Sequence, residues 1–261
     1  MDKGRVIVAI AKSVLLEAVR RKDVYVLVLL CCGLIGLTMT VDFFNVEGLT
    51  KFYREIALKL MDFSTAVAVI LLATRQLPRE FEQRTIYPLL ARPIGRFTFL
   101  LGKLAGVCAA GAFCLGLFMV IFAVGIHSLG GGIGWGLFLQ HVFLQGLHVL
   151  LLASACFVFS LGFSKDAALT VGFLFYFTST SFGDWAVILH DSAGPVGQAG
   201  LWVLTYGIPQ LALFDLSDKA VHMEIWEPLG LGTMAVLTGY ALFYSAVLMG
   251  IAYAMFRRRP L

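Results

Sequence analysis

Residues 74–103 read TRQLPREFEQRTIYPLLARPIGRFTFLLGK and form a polar island in a hydrophobic chain. The island holds six basic residues and three prolines, whereas the 261-residue chain is 59% hydrophobic and only 14% charged, with a mean hydropathy of +0.88. Soluble domains carry about 25% charged residues, and they do not leave this much apolar surface exposed. The composition therefore predicts an integral membrane protein that contacts lipid and has no nucleic-acid partner.

Six apolar stretches surround the island. A helical span needs about 20 apolar residues, and these stretches are continuous rather than alternating, which indicates helices and not a β-barrel. The second stretch has only 12 residues, so its helix must extend beyond it at one or both ends. We predict an all-α fold with one transmembrane domain over residues 1–261 and six spans at residues 24–41, 63–74, 97–126, 137–164, 167–189 and 229–256.

Residues 1–22 have the pattern of an amphipathic helix. Apolar side chains recur at helical spacing with basic residues opposite, which is typical of a helix that lies on the membrane surface. We therefore predict an N-terminal elbow helix, with an irregular cytosolic tail as the alternative. The predicted apolar face consists of Ile7, Ile10, Ala11, Val14 and Ala18.

The basic residues predict the orientation. With six spans, 16 of the 20 Lys and Arg residues lie on the side of the termini and the island. Because cytoplasmic loops are enriched in Lys and Arg, both termini and the island are predicted to be cytoplasmic. The expected location is the inner (cell) membrane of a bacterium or archaeon.

Two prolines bound a short helix that we predict within the island. Pro78 suits the first turn of a helix, where its missing N–H costs nothing, and Pro88 would end the helix near Tyr87. The sequence thus predicts a two-turn helix over residues 79–87, within a cytoplasmic segment at 78–96. Charges of both signs and apolar side chains suit docking in a groove on another protein. A solvated loop beside lipid fits these physical features equally well.

The run REFEQRTIYPLLARPIGRFTFLLGK resembles the signature of exporter permeases of the type-2 ABC transporter superfamily. Such permeases have an acid-containing segment like EFEQRTI after the second span. A stretch like LLARPIGR and a third-span start like FLLGK then follow. The similarity extends to the branch that contains the nitrous-oxide reductase maturation and gliding-motility permeases.

This resemblance implies that the island contains a coupling helix, which docks on a separate ATP-binding-cassette ATPase subunit. It also implies an exporter that pairs with a second permease subunit, either an identical or a related chain. By their match to the family motif, four residues are the expected contact positions: Glu80, Glu82, Arg84 and Thr85. The predicted helix geometry adds Arg79, Phe81 and Tyr87.

The chain has no motif for ATP hydrolysis. A P-loop requires G-x-x-x-x-G-K-[ST], and the similar run at residues 95–104 has six residues between its glycines and Leu104 after Lys103. Lys103 instead suits an anchor for the third span at the membrane interface. We therefore expect no catalytic residue, cofactor or metal site in this chain, with ATP and magnesium held by the partner ATPase.

Histidines on the fourth predicted span are candidates for polar packing. His141 and His148 share a helical face, and Gln140 and Gln145 lie nearby on the same span. One helix cannot supply ligands to both sides of a haem, so hydrogen bonding between spans is favoured over a haem or copper site.

Acidic and hydroxyl side chains near the outer ends of two spans are candidates for a substrate path: Asp62, Ser181 and Asp184. An acid within a span is a functional candidate, but both aspartates could instead lie at the lipid headgroups. In particular, Lys59 and Asp62 could form part of a self-neutralised helix end rather than line an outward vestibule.

For the outer segment, residues 190–228, we predict a partial, re-entrant hairpin, because its apolar run at 200–214 is too short for a span.

Two alternatives to an ATP-driven exporter remain open at this stage. One is an ATP-independent membrane protein, either a proton-coupled carrier that uses Asp62 and Asp184 or an intramembrane enzyme. The other is an assembly factor for an extracytoplasmic metalloenzyme, driven by an ATPase. The 22 phenylalanines suit a lipid-like cargo but also ordinary packing in a membrane.

Overall fold

The computed structural model describes residues 3–20, 46–82, 95–190 and 207–258, together with the isolated residues 33, 36, 194, 197, 198 and 200. Only the backbone is described at residues 3, 46–49, 82 and 182–190. Every element in these ranges is helical, as the apolar periodicity predicts. The elements are α1 (Lys3–Arg20), α2 (Val46–Glu82), α3 (Arg96–Ser128), α4 (Trp135–Gly162), α5 (Lys165–His190), a 3₁₀ turn (Leu211–Phe214), α6 (Ser217–Val221) and α7 (Leu231–Arg258).

Four of the described helices are long and apolar enough to cross a membrane: α2, α3, α4 and α7. They contain the second, third, fourth and sixth predicted spans. The fifth predicted span forms α5, although part of its side chains lies outside the described residues. The first predicted span, at 24–41, lies almost entirely outside them, so the count of six spans stays a prediction.

Helix α2 is longer than its short apolar stretch, as expected, and extends at both ends. It has 37 residues, which corresponds to about 55 Å of helix.

Pro78 lies inside the helix, so the prediction that a separate helix begins at Pro78 is wrong. A proline removes only one backbone hydrogen bond, and the helix continues because Leu77 is fully buried on one side of it and Phe81 packs on Phe256 beyond it. Residues 83–94, which contain the rest of the predicted two-turn helix, lie outside the described part of the chain.

The N-terminal amphipathic helix is present as α1, and it packs along α3. Its buried stripe is Val6, Ile10, Val14 and Ala18. Ile7 and Ala11, which we assigned to the apolar face, are only half-buried, because the stripe that contacts α3 is rotated slightly from the predicted one. The position of α1 at the membrane surface stays a prediction.

Two glycines on α3 allow this close contact. They belong to the run GKLAG, which has the G-x-x-x-G spacing that lets helix backbones approach each other. A Cβ atom on Gly102 would lie 2.9 Å from Cβ of Ile10, and one on Gly106 would lie 2.5 Å from Cβ of Val14. Both distances are shorter than van der Waals contact, so larger side chains would push α1 away.

Helix α4 lies at the centre of the bundle and contacts α2, α3, α5 and α7. The crossing of α2, α3 and α4 is close because Gly111 on α3 packs against Val149 and Val69. The residues after α5 are described only from residue 207, where the 3₁₀ turn and α6 lie against the bundle. These short elements lie in the predicted outer segment, but the hairpin itself falls partly outside the described residues.

We predict that Gly106→Ala destabilises the protein, because the new methyl group meets Val14. Overpacking of this kind costs about 1–3 kcal/mol. Thermal unfolding of the detergent-purified chain should show a lower midpoint for this variant. The matched control is Gly116→Ala on the same helix, where nothing lies within 4 Å of the added Cβ. Equal midpoints for the two variants would contradict the close α1–α3 contact.

Candidate functional site

Polar side chains connect three helices where α2 enters the island. We call Glu17, Gln76, Arg79, Glu80 and Lys103 the island network. The Lys103 side chain is only 6% exposed, and its Nζ donates to Oε1 of Glu80 at 2.6 Å and to Oε1 of Gln76 at 3.0 Å. A buried ammonium group requires such partners, since its desolvation is costly. Lys103 therefore connects α3 to α2 through hydrogen bonds. The sequence predicted only that it anchors the third span at the membrane interface.

The same network reaches α1 through Glu17. Arg79 Nη1 donates to Oε1 of Glu17, and Gln76 Nε2 donates to Oε2 of the same carboxylate at 3.4 Å. The charged end of α2 is thereby joined to α1 and α3 together. Displacing the island end of α2 would pull on both helices.

The C-terminal end of α7 lies beside the island network. The rings of Phe81 and Phe256 meet edge to face, with their centroids 6.0 Å apart. Arg96 Nη1 donates to the backbone oxygens of Phe256 at 3.4 Å and of Arg257 at 3.0 Å. These bonds satisfy carbonyl groups at the end of α7 that have no partner within the helix.

The predicted docking residues therefore fall into two groups. Arg79, Glu80 and Phe81 contact other helices of the same chain, which the sequence did not predict. The side chain of Glu82 and residues Arg84, Thr85 and Tyr87 lie outside the described part of the chain. Their contact with an ATPase remains a prediction. Glu82 is the last residue of α2 that the structure describes.

A second polar cluster lies further along α2, next to the outer segment. We call Asp62, His141 and Asp215 the Asp62 cluster. Asp62 Oδ1 lies 3.2 Å from Nε2 of His141, which is fully buried on α4. One ligand-type atom from each of the three residues lies within 4.8 Å of the other two. The cluster therefore joins α2, α4 and the outer segment.

Lys59 provides a positive charge at the edge of this cluster. Its Nζ lies 3.2 Å from Oδ2 of Asp215 and 3.1 Å from Oδ1 of Asp218. Burial alone would raise the pKa of Asp215, but hydrogen bonds from Ser217 and the charge of Lys59 hold that pKa below its ordinary value. Lys59 thus pairs with the outer segment and Asp62 with α4, instead of forming the self-neutralised helix end considered above.

Three buried polar atoms near this cluster lack a hydrogen-bond partner among the described residues: Asp62 Oδ2, His141 Nδ1 and His148 Nε2. His148 Nδ1 lies 2.9 Å from Oε1 of Gln145 on the same helix, so this bond does not join two spans. The predicted hydrogen bonding between spans is made instead by His141, with Asp62 on α2. Gln140 instead exchanges two hydrogen bonds with the backbone of Leu229, at 2.9 and 2.8 Å.

The remaining predicted path residues lie on α5. Ser181 is half-buried, and the side chain of Asp184 lies outside the described residues. Ser179, which precedes them, is buried and donates to the backbone oxygen of Pro209 while it accepts from N of Leu211 at 2.9 Å. These hydrogen bonds attach the outer segment to α5.

Sequence reasoning did not single out Asp215. His141 is 79 positions from Asp62, and Asp215 is 156 positions from Lys59. Local spacing therefore carries no signal for the cluster. The one available hint was an acid in the outer segment, because residues 51–62 of α2 hold three basic and only two acidic residues.

Residues 18–181 match the protein-family model of the ABC-2 family transporter proteins. The match covers well over half of the chain, and it includes the island, Asp62 and His141 but not Asp215 or α7. Together with the apolar helices, it shows that this chain is a multi-pass membrane protein of the ABC-2 transporter family, of the permease type. A comparison with curated proteins returns no match.

We predict that Lys103→Met destabilises the protein, because it removes the buried ammonium group that bonds to Glu80 and Gln76. Breaking a buried ion pair costs about 3–5 kcal/mol, whereas replacing both partners is often tolerated. The double variant Glu80→Gln/Lys103→Met should therefore recover part of the loss in the thermal unfolding midpoint. Lys12→Met, at an exposed position on α1, is the control. A Lys103→Met midpoint equal to that of the control would contradict the buried pair.

Proposed function

We propose that this chain is the transmembrane subunit of an ATP-driven exporter, coupled to a separate ATP-binding-cassette ATPase at the island. The observation that carries the proposal is the family match across the island, together with the run EFEQRTI that follows the second span. The family implies an ATPase partner, and the chain itself has no P-loop. We therefore propose that ATP and magnesium bind to that partner and that this chain has no catalytic role of its own.

Helix α2 provides the mechanical connection in this proposal. It runs without interruption from the Asp62 cluster to the island, and 20 residues of helix correspond to about 30 Å. When the ATPase closes on nucleotide, the segment after Glu82 moves and α2 moves with it. The island network makes α1 and α3 follow, because their side chains are bonded to the same end of α2.

The far end of α2 is where this movement would reach a substrate. Asp62 and Lys59 contact α4 and the outer segment, so a shift of α2 changes the contacts on that side. We propose that Asp62, Ser181 and Asp184 line the path there. An amphiphilic or lipid-like cargo suits the aromatic residues of the chain, and export follows from the resemblance of its island to exporter permeases.

A second permease subunit completes the proposed transporter. Helix α7 has few buried side chains within the described structure, and large apolar residues such as Leu231, Val236 and Phe243 are exposed on it. Such a surface suits lipid and a neighbouring subunit. We propose a dimer of this chain or a pair with a related chain.

The Asp62–His141 pair also favours a second candidate function, a proton-coupled carrier. A buried acid and imidazole within spans are groups that proton pathways use. This candidate predicts that no ATPase accompanies the chain. The experiments below distinguish the two functions.

We predict that Glu82→Lys and Arg84→Glu weaken the attachment of the ATPase. If these charges face a protein groove, removal of one member of a buried pair costs about 2–5 kcal/mol. The measurement is co-purification of ATPase activity with the tagged chain from native membranes. Lys219→Glu, in the predicted outer segment, is the control, and the unfolding midpoint of each isolated variant checks the fold. Undiminished co-purification by both variants would count against docking through these charges, and no ATPase with the wild type would favour the carrier.

We also predict that the termini and the island face the cytoplasm. In a background without the five native cysteines, a cysteine at position 128 should react with an impermeant thiol reagent added to intact cells, because Ser128 is exposed at the far end of α3. A cysteine at position 83 should react only after the cells are opened. The reverse labelling pattern would place the island outside and remove the coupling role.

A further inference from the structure

We propose that Asp62, His141 and Asp215 form a binding site for one divalent transition-metal ion, which fastens the outer segment to α2 and α4. This site does not depend on the proposed ATP-driven transport, although it shares Asp62 with the proposed substrate path. Its three residues come from α2, α4 and the outer segment, so a bound ion would hold these parts of the chain together at one point.

The geometry of the cluster is close to that of a metal site. Zinc binds imidazole nitrogen and carboxylate oxygen at about 2.1 Å, which places tetrahedral ligand atoms about 3.4 Å apart. The Asp62 Oδ1–His141 Nε2 distance of 3.2 Å is already near this value, and all three ligand atoms lie within 4.8 Å of one another. Asp215 must approach slightly, and its half-exposed side chain has room to do so.

A buried carboxylate oxygen without a hydrogen-bond partner is an independent indication of a cation site. The Asp62 side chain is about nine-tenths buried, and its Oδ2 has no hydrogen-bond partner among the described residues. Buried polar atoms are nearly always bonded in folded proteins, so each exception requires an explanation. A cation bound by Asp62 and by Nε2 of His141 would neutralise this buried carboxylate and satisfy its free oxygen.

The donor set selects the class of ion. Two carboxylates and one neutral imidazole carry a charge of about −2, which a divalent ion neutralises in surroundings that solvate charge poorly. Imidazole suits zinc and similar transition metals, whereas calcium takes six to eight oxygen ligands. Three protein ligands leave a fourth position open, and the half-exposed side chain of Asp215 gives the ion access from solvent.

Lys59 acts as an internal competitor for this ion. Its ammonium group lies 3.2 Å from Oδ2 of Asp215 and neutralises that carboxylate when no metal is bound. When an ion binds, Lys59 can keep its second partner, Asp218, at 3.1 Å. Removing the Lys59 charge should therefore tighten metal binding, whereas a purely structural role for Lys59 would not predict any gain.

The test is isothermal titration of zinc chloride into the full-length chain, purified in detergent and freed of metal with a chelator. We expect one zinc per chain. Asp62→Asn and Asp215→Asn should each weaken binding by about tenfold or more, since each removes a ligand charge. Lys59→Met should tighten binding. Asp215→Asn lies in the half-exposed outer segment, so its result does not depend on repacking of the membrane helices.

Matched controls separate ligation from general effects of substitution. His148→Gln removes an equally buried histidine from the same helix, and Glu224→Gln removes an exposed carboxylate; neither residue belongs to the cluster. Both variants should bind zinc like the wild type, and a calcium salt should not compete. The proposal is overturned if the wild type binds no stoichiometric zinc, or if Asp62→Asn and Asp215→Asn leave binding unchanged. Equal loss in His148→Gln, or equally tight calcium binding, would also overturn it.

Discussion

Charged side chains in the first half of α2 and at its island end need partners on other parts of the chain, because lipid surroundings solvate an isolated charge poorly. Toward one end, Lys59 pairs with Asp215 and Asp62 contacts His141; at the other, Glu80 pairs with Lys103. The partners lie on the outer segment, α4 and α3. The arrangement of the bundle around α2 therefore depends on where these charges find opposite charge, and apolar packing fills the space between them.

This constraint also explains how much of the molecule could be predicted from the sequence. Hydropathy alone located α3, α4 and α7, because a span of about 20 apolar residues gives a strong local signal. It could not locate the ends of α2, since side-chain partners from distant parts of the chain stabilise the helix beyond its apolar middle. Pro78 shows the same limit: the local rule favours a helix start, but packing of Leu77 and Phe81 keeps the helix continuous.

The two polar clusters differed in how well they could be predicted. The island was found because its charges are concentrated in one stretch and resemble a family signature. The internal bonds of Arg79 and Glu80 were not found, since Glu17 and Lys103 lie on other helices. Asp62 was identified as a residue of interest, but its environment depends on His141 and Asp215, which only the tertiary structure brings close.

The glycine contact between α1 and α3 has a consequence for how these helices can move. Ile10 and Val14 on α1 pack against Gly102 and Gly106, the two residues of the GKLAG run that lack a Cβ atom. These two glycines lie four residues apart. A small slide would bring each branched side chain against Lys103, Leu104 or Ala105. A shift of four residues, about 6 Å, would place one of the two side chains on a glycine again but would bring the other against Ala110 or Thr98. Helix α1 therefore has a single register along α3 in which both side chains face glycine, and the two helices should move together as one rigid unit.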